Sequence, residues 1–113
     1  MNYPERYQNM AAQMENLGKG LNGTMQHFGG LHMEAIKDGA LSSLTKELIA
    51  LGIAITVRCD GCIAYHVHDA LHAGATPAQI RETIGVAILM GGGPSVVYGI
   101  EANEALEQFL QPA

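Results

Sequence analysis

The stretch that decides the fold is residues 42–66, SSLTKELIALGIAITVRCDGCIAYH. Apolar side chains recur three or four residues apart in its first half, at Leu44, Leu48, Leu51 and Ile55. This spacing is typical of the buried face of an α-helix. Ser42 or Ser43 is suited to cap that helix, and Cys59 or Asp60 is suited to begin the next one. The stretch therefore predicts two consecutive helices joined by a short bend.

Outward from this stretch, glycine and proline divide the chain into further helical segments. We predict helices from Pro4 to the glycine cluster at 18–23, over 24–37, from the Ser42–Ser43 cap to Ile55, from Cys59 or Asp60 to Gly74, from Thr76 to Met90, and from Pro94 to Leu110. The clearest boundary is Thr76-Pro77-Ala78-Gln79, because it combines a capping residue, a first-turn proline and a matching Gln. No stretch alternates polar and apolar residues as a strand does. The prediction is an all-α compact bundle of six short helices forming a single domain over residues 1–113.

Composition and charge exclude several classes of partner. The chain carries 6 Lys and Arg against 11 Asp and Glu, a net charge of -5, and 48% of its residues are hydrophobic. The scattered cations form no basic stripe, so neither nucleic acid nor a membrane surface is a predicted partner. The longest weakly charged stretch, Leu48 to Val57, is too short to span a bilayer, and the N-terminus lacks the pattern of a signal peptide. We predict a cytoplasmic protein.

The two cysteines and a histidine form the motif that carries chemistry. Cys59, Cys62 and His66 lie at i, i+3 and i+7, which places them along one face of a helix. A small adjustment of the first turn would let the two thiols form a reversible disulfide. The N-terminus of the helix and the charge of Arg58 favour a thiolate, and His66, one turn after Cys62, can accept its proton. This pattern points to a nucleophile beside a base.

Two alternatives for the same residues stay open. Cys59, Cys62 and His66 with one water could hold zinc in a metal-binding module. Both cysteines could instead be buried, inert residues of an oligomeric scaffold, because free cysteine is often buried.

Five other residues are weaker candidates. His68 and His72 have the spacing of a metal pair, but we predict that Asp69 points away from them and that both histidines lie at the surface or an interface. His27 and His32 are predicted to be hydrogen-bonded residues near the core, since this role is more common for histidine on an apolar helix than metal binding.

The motif resembles the core of a known superfamily. The matching residues are Glu47-(eleven residues)-Cys59-x-x-Cys62-x-x-x-His66, followed by Asp69-Ala70 and by Ala73-Gly74-Ala75-Thr76. They resemble the alkylhydroperoxidase D-like, or carboxymuconolactone decarboxylase, superfamily over roughly Phe28 to Gly93. The resemblance implies an all-α fold and a thiol-dependent peroxidase, with an activity of the peroxiredoxin type or, alternatively, of the disulfide reductase or isomerase type.

The resemblance also implies a role for each motif residue. It makes Glu47 the distal base, Cys59 the resolving thiol, Cys62 the thiol that attacks peroxide, and His66 the proton acceptor. It differs at one position, since alkylhydroperoxidase D has a second histidine just before the second cysteine where this chain has Gly61. The implied partners are a small-molecule peroxide, a dithiol electron donor and further copies of the chain in a trimer or hexamer. No cofactor and no metal are predicted.

Glu47 can also be tested from the residues alone. It lies eleven residues before Arg58, and His66 lies eight after it, so an antiparallel hairpin would place the two about 4 to 5 Å apart along its axis. A lone Glu on a helix is usually solvated, but Ala50, Leu51 and Ala54 would surround this one with small and apolar side chains. We therefore predict a raised pKa for Glu47.

Overall fold

The computed structural model describes residues 1–112, and these residues form six α-helices. The helices are α1 (Tyr3–Gly20), α2 (Asn22–Ile36), α3 (Ser43–Thr56), α4 (Asp60–His72), α5 (Pro77–Gly91) and α6 (Gly93–Leu110). The all-α prediction is confirmed. Within residues 1–112, no helix combines the length and the apolar character needed to cross a bilayer.

Two predicted helix starts are confirmed by their capping hydrogen bonds. The Ser42 hydroxyl accepts a hydrogen bond from the Thr45 backbone N–H at 3.1 Å. At α5, Thr76 accepts from the Gln79 N–H at 3.1 Å and the Gln79 side chain accepts from the Thr76 N–H at 2.9 Å, which completes a capping box. Local residue chemistry therefore fixes where α3 and α5 begin.

The boundary between α1 and α2 differs from the predicted glycine-rich gap. Gly20 ends α1, Leu21 alone interrupts the helices, and Gly23 already lies inside α2. The Leu21 N–H bonds to the Leu17 carbonyl and the Leu21 carbonyl accepts from Met25, so the backbone stays hydrogen-bonded across the break. Glycine costs about 1 kcal/mol within a helix but does not forbid it, and here the neighbouring turns continue.

The hydrophobic core lies between α3, α4, α5 and α6. Its fully buried aliphatic side chains come from all four helices: Leu51, Ile55, Ile63, Val67, Ile80 and Leu106. Alanines fill much of the remaining contact area and let the helices approach closely. Helix α1 crosses the outside of α4 and α6, and its Tyr3 is buried while the Tyr3 N–H donates to Gln108 at 2.7 Å.

Helix α2 is the least integrated element. It contacts α1 and α3, and none of its residues is buried. Phe28, Leu31 and Met33 are each more than half exposed. Helix α2 therefore packs on the outside of α1 and α3 and adds no buried residue to the core.

We predict that two glycine substitutions change stability in opposite directions. A Cβ at Gly99 would lie 2.9 Å from Cγ2 of the buried Ile84, so α5 or α6 must shift to accept it. Gly99→Ala should lower the free energy of unfolding by about 1 to 3 kcal/mol. Gly85→Ala, in α5 with no atom near the added methyl group, should raise it by about 0.5 to 1 kcal/mol. Urea unfolding measures both, and equal effects would contradict close packing at Gly99.

Candidate active site

The cysteine pair lies at the bend between α3 and α4. Arg58 takes a left-handed conformation (φ 62°), and Cys59 is extended and caps α4 from outside the helix. The Cys59 and Cys62 sulfurs are bonded to each other, with their Cα atoms 5.2 Å apart. Because Cys59 is not helical, its side chain can reach the first turn of α4. The extended backbone of Cys59 is the small adjustment of the first turn that a disulfide at this spacing was predicted to need.

The sulfur of Cys59 also occupies the capping position of α4. The Cys62 backbone N–H donates to the Cys59 Sγ at 3.2 Å. A helix N-terminus carries unpaired N–H groups and partial positive charge, both of which favour a thiolate. Nearby, the Arg6 guanidinium pairs with Asp60 at 3.0 Å, so α1 is tied to the same helix end.

Glu47 and His66 meet across the α3–α4 hairpin. The Glu47 Oε1 lies 3.2 Å from the His66 Nδ1. Glu47 is only 4% exposed, so it is not on a solvated helix face. With Nδ1 engaged, the other ring nitrogen of His66, Nε2, is available to a second group.

The buried position of Glu47 changes its acidity. Burial, with the neighbouring Asp69 carboxylate as a further cause, raises the pKa of Glu47 to about 7, while the nearby His32 opposes the shift. Burial also lowers the pKa of His66, against the charge of Asp69. Both shifts favour uncharged groups. Near neutral pH Glu47 therefore lies between its carboxyl and carboxylate forms, which is the range that a base acting at pH 7 needs.

Asp69 belongs to this cluster, contrary to the prediction that it points away. Its Oδ1 lies 2.9 Å from the His68 Nδ1, and its carboxylate lies close enough to Glu47 to affect the pKa of that residue. The Tyr7 ring stacks on His68 with centroids 3.9 Å apart. The sequence did contain a signal, because Asp69 follows His66 by three residues and so shares its helix face.

The two histidines of α2 also differ from their prediction. His27 is exposed. His32 has a buried Nε2 with no hydrogen-bond partner within residues 1–112. Neither is a hydrogen-bonded core residue, and the reason is that α2 contributes no buried residue to the core.

A cavity of about 260 Å³ opens beside the cysteine pair. Its lining comes from α1, α2 and α4: Met10, Met14, Phe28, Gly29, His32, Cys62, Tyr65 and His66. Cys62 and His66 therefore face the same small, mainly apolar space, whereas Cys59 is not part of its wall. The four predicted site residues therefore lie close together. Cys59 and Cys62 form a disulfide, Cys62 and His66 line one cavity, and the buried carboxyl of Glu47 contacts His66.

The space at Gly61 is closed by α1. A Cβ there would lie 3.0 Å from the Met10 sulfur and 3.4 Å from the Arg6 guanidinium. A histidine at this position would therefore have to displace both side chains.

The zinc alternative finds little support in the geometry. Over residues 1–112, no three or more His, Cys, Asp or Glu side chains are arranged to hold a metal ion. Both candidate sulfur ligands are joined in the disulfide. The arrangement suits thiol–disulfide chemistry better.

Known sequences resemble this chain over most of its length. A protein of Cupriavidus necator with no assigned function is 38% identical over 97 residues, which cover 86% of this chain and 83% of that protein. An uncharacterised protein encoded in the cox locus of Paracoccus denitrificans is 38% identical over 81 residues, covering 72% and 73% of the two chains. Both matches cover most of this chain, but neither relative has an assigned activity.

Solved structures and a family match identify the group. The apo form of a carboxymuconolactone decarboxylase family protein from Legionella pneumophila superposes with a TM-score of 0.92 at 38% identity, covering 96% of this chain and 97% of that one. A Thermotoga maritima family member, for which involvement in the antioxidative response has been suggested, gives a TM-score of 0.71 at 30% identity over 76% and 89% of the chains. Residues 22–105 match the Carboxymuconolactone decarboxylase family itself. The resemblance is confirmed, and this chain belongs to the carboxymuconolactone decarboxylase family, within the alkylhydroperoxidase D-like superfamily.

Proposed function

We propose that the protein is a thiol-dependent peroxidase that cycles Cys59 and Cys62 between dithiol and disulfide. One observation carries the proposal: Cys62 shares a cavity with His66, whose Nδ1 contacts the buried carboxyl of Glu47. The disulfide between Cys59 and Cys62 supports it, because it is the oxidised state that such a cycle produces. The antioxidative role suggested for the Thermotoga maritima relative points in the same direction.

In the first step Cys62 reduces the peroxide. The Cys62 thiol gives its proton to the His66 Nε2, and the thiolate attacks the terminal peroxide oxygen. The oxygen–oxygen bond breaks, Cys62 becomes a sulfenic acid, and the remaining oxygen leaves as an alcohol or water after taking up a proton. Cys62 is thereby oxidised by two electrons and the peroxide is reduced by two.

In the second step Cys59 resolves the sulfenic acid. The Cys59 thiolate attacks the Cys62 sulfur and the disulfide forms, while the sulfenic oxygen leaves as hydroxide and takes up the proton lost by the Cys59 thiol to become water. The capping position supports this role, because the Cys62 N–H at 3.2 Å favours the thiolate of Cys59. A dithiol donor then attacks Cys59 and returns both cysteines to thiols while the donor becomes a disulfide.

The Glu47–His66 pair supplies the proton relay. When His66 accepts the thiol proton at Nε2, its Nδ1 proton can pass to the Glu47 carboxylate, which leaves the pair uncharged. Uncharged groups are favoured in this buried position. The relay works only from the carboxylate form of Glu47, because a protonated carboxyl cannot take a second proton.

The size of the cavity favours a small oxidant over a protein disulfide. At about 260 Å³ it can hold a small molecule beside Cys62 but not a folded segment of another chain. This favours a small peroxide as the oxidant that reacts with Cys62, whereas the reducing dithiol reacts with Cys59 outside the cavity.

We also propose that the protein is a homo-oligomer. A groove of about 520 Å³ between α3 and α5 has an almost wholly apolar lining. Around it, Ile53, Val57, Val86 and Met90 are each more than half exposed. Apolar patches of this kind on a soluble chain commonly mark contacts between subunits. A trimer or hexamer is the assembly that the superfamily resemblance implies.

We expect the two cysteines to differ in a trapping experiment. In Cys59→Ser, peroxide should leave a sulfenic acid at Cys62 that a dimedone-type probe labels, and the protein should turn over once. Cys62→Ser should give neither label nor turnover, because its remaining thiol lies outside the cavity wall. In the unmodified protein, peroxide should remove two thiols per chain. Labelling of Cys59 in Cys62→Ser would reverse the assignment, and labelling of neither variant would refute the peroxidase.

We expect activity and stability to depend on pH in opposite ways. The pKa of Glu47 rises from 4.5 to about 7 on folding, so between these values only the folded state holds the proton. The contribution of Glu47 to the free energy of unfolding should therefore fall by roughly 3 kcal/mol as pH rises through this interval, and the lowered pKa of His66 offsets part of this fall. The rate of Cys62 oxidation should rise through pH 7 as the carboxylate forms. The groups that face Glu47 are His66 and Asp69 from α4 and His32 from α2.

Glu47→Gln tests both trends. It should slow Cys62 oxidation by about 10² or more, remove the inflection near pH 7, and raise the free energy of unfolding at pH 8. Glu34→Gln is the matched control, because Glu34 is exposed and pairs with Lys37. Stopped-flow oxidation and chemical unfolding at several pH values give the readouts. A Glu47→Gln variant with the normal rate and pH profile would contradict the relay.

We expect a charge in the apolar groove to disrupt the assembly. Light scattering of the unmodified protein should give a multiple of 12.0 kDa. Ile53→Glu should shift the mass towards a single chain, because burying an unpaired carboxylate is costly. Leu17→Glu, on α1 outside the groove, should leave the mass unchanged. A monomer mass for the unmodified protein at micromolar concentration would refute the assembly.

A further inference from the structure

His32 is the unexplained polar group at the candidate site. It lies on α2, which has no buried residue, yet its own Nε2 is buried and without a hydrogen-bond partner within residues 1–112. Buried polar atoms in folded proteins nearly always have a partner. No hydrogen bond within residues 1–112 therefore explains this nitrogen, and the chain gives the imidazole no structural role through it.

The position of His32 links the two ends of the proposed relay. Its side chain lines the 260 Å³ cavity together with Cys62 and His66. It also lines a second cavity, of about 490 Å³, together with Glu47 and Asp69. The edge-on Tyr65 ring, 6.0 Å away between centroids, packs against the imidazole. His32 thus lies between the reacting sulfur and the buried carboxyl.

The proposed reaction needs a proton donor that the His66–Glu47 pair does not provide at the moment of bond cleavage. The pair accepts the Cys62 proton, while the leaving oxygen of an alkyl hydroperoxide departs as a strongly basic alkoxide. A positioned acid that protonates such a leaving group typically contributes 10²-fold or more to the rate. The acid must lie in the same cavity as Cys62, because that is where the oxygen leaves.

We propose that His32 is this acid, an inference that rests on the proposed peroxidase function. As the Cys62 thiolate bonds to the terminal oxygen and the oxygen–oxygen bond breaks, His32 in its protonated form gives a proton from its ring to the leaving oxygen, which departs as alcohol. The neutral His32 then regains a proton from Glu47, which had received the Nδ1 proton of His66. His32 and Glu47 thereby return to their starting states, and His66 keeps the thiol proton on Nε2 until exchange with water resets its tautomer.

The test compares two oxidants whose leaving groups differ in basicity. tert-Butyl hydroperoxide releases a strongly basic alkoxide, which needs a proton. Peracetic acid releases acetate, which departs without one. Sulfenic acid formation at Cys62 is followed by stopped flow in the Cys59→Ser background, with and without His32→Ala. His27→Ala is the matched control, because His27 is an exposed histidine on the same helix.

We expect His32→Ala to slow the reaction with tert-butyl hydroperoxide by about 10²-fold and to leave the reaction with peracetic acid within a few-fold of the parent rate. His27→Ala should change neither rate. The ratio of the two rates is independent of the fraction of folded protein, since both oxidants report on the same sample. A general loss of structure, or a change in how Glu47 activates the thiol, would lower both rates together.

Three results would overturn the role of His32. Equal slowing with both oxidants would make it structural, and an unchanged rate with both would leave it without a role. In either case Cys62 would still be oxidised and the peroxidase function would stand. If Cys62 of the parent protein reacts with neither oxidant, the proposed function itself fails, and the role of His32 fails with it.

Discussion

The buried contact between Glu47 and His66 fixes how α3 and α4 face each other at the candidate site. It joins α3 to α4 at 3.2 Å and places a carboxyl group where only 4% of the residue is exposed. Removing a carboxylate from water is costly, and this cost is the main reason that the pKa of Glu47 is raised. The protein thus keeps a group that weakens the folded state above neutral pH. In the proposed function that same group is the base, so the stability cost and the reactivity have one cause.

The hairpin that brings these groups together also sets the geometry of the cysteines. Arg58 in the left-handed conformation turns the chain within three residues, between the C-cap of α3 and the first residue of α4. Cys59 is left outside the helix and Cys62 inside its first turn. The two sulfurs therefore have different surroundings, one at the helix cap and the other in a cavity wall. This asymmetry is the physical basis for giving them different roles.

The peripheral helices contribute more to the site than to the core. Helix α1 fills the space above Gly61 with Met10 and Arg6, and α2 brings Phe28 and His32 to the cavity. Helix α2 lines the cavity although none of its residues is buried. In the alkylhydroperoxidase D pattern a second histidine precedes the second cysteine, whereas here the side chains of Met10 and Arg6 pack over Gly61 at that position. The second imidazole that lines the cavity, that of His32, comes from α2 instead.

The sequence by itself determined the local features of this protein. Spacings of three and four residues defined the helices, Ser42 and the Thr76–Gln79 pair fixed two helix starts, and the Cys59–Cys62 spacing allowed a disulfide. Each depends on residues within one or two turns, where helix geometry converts spacing directly into distance. The same helix geometry also predicted that Glu47 and His66 lie close together, because only a short bend separates α3 from α4.

Only the tertiary structure decided which polar groups surround Glu47. Asp69 was predicted to point away and His32 to be satisfied near the core, yet both lie at the site. Asp69 shares a helix face with His66, so its spacing did carry a signal, but the position of His32 depends on how α2 packs beside α1 and α3. Helix packing angles and rotations follow from side-chain contacts between segments distant in sequence, and spacing along one segment does not encode them. Burial, and with it the pKa of Glu47, is likewise a property of the assembled helices.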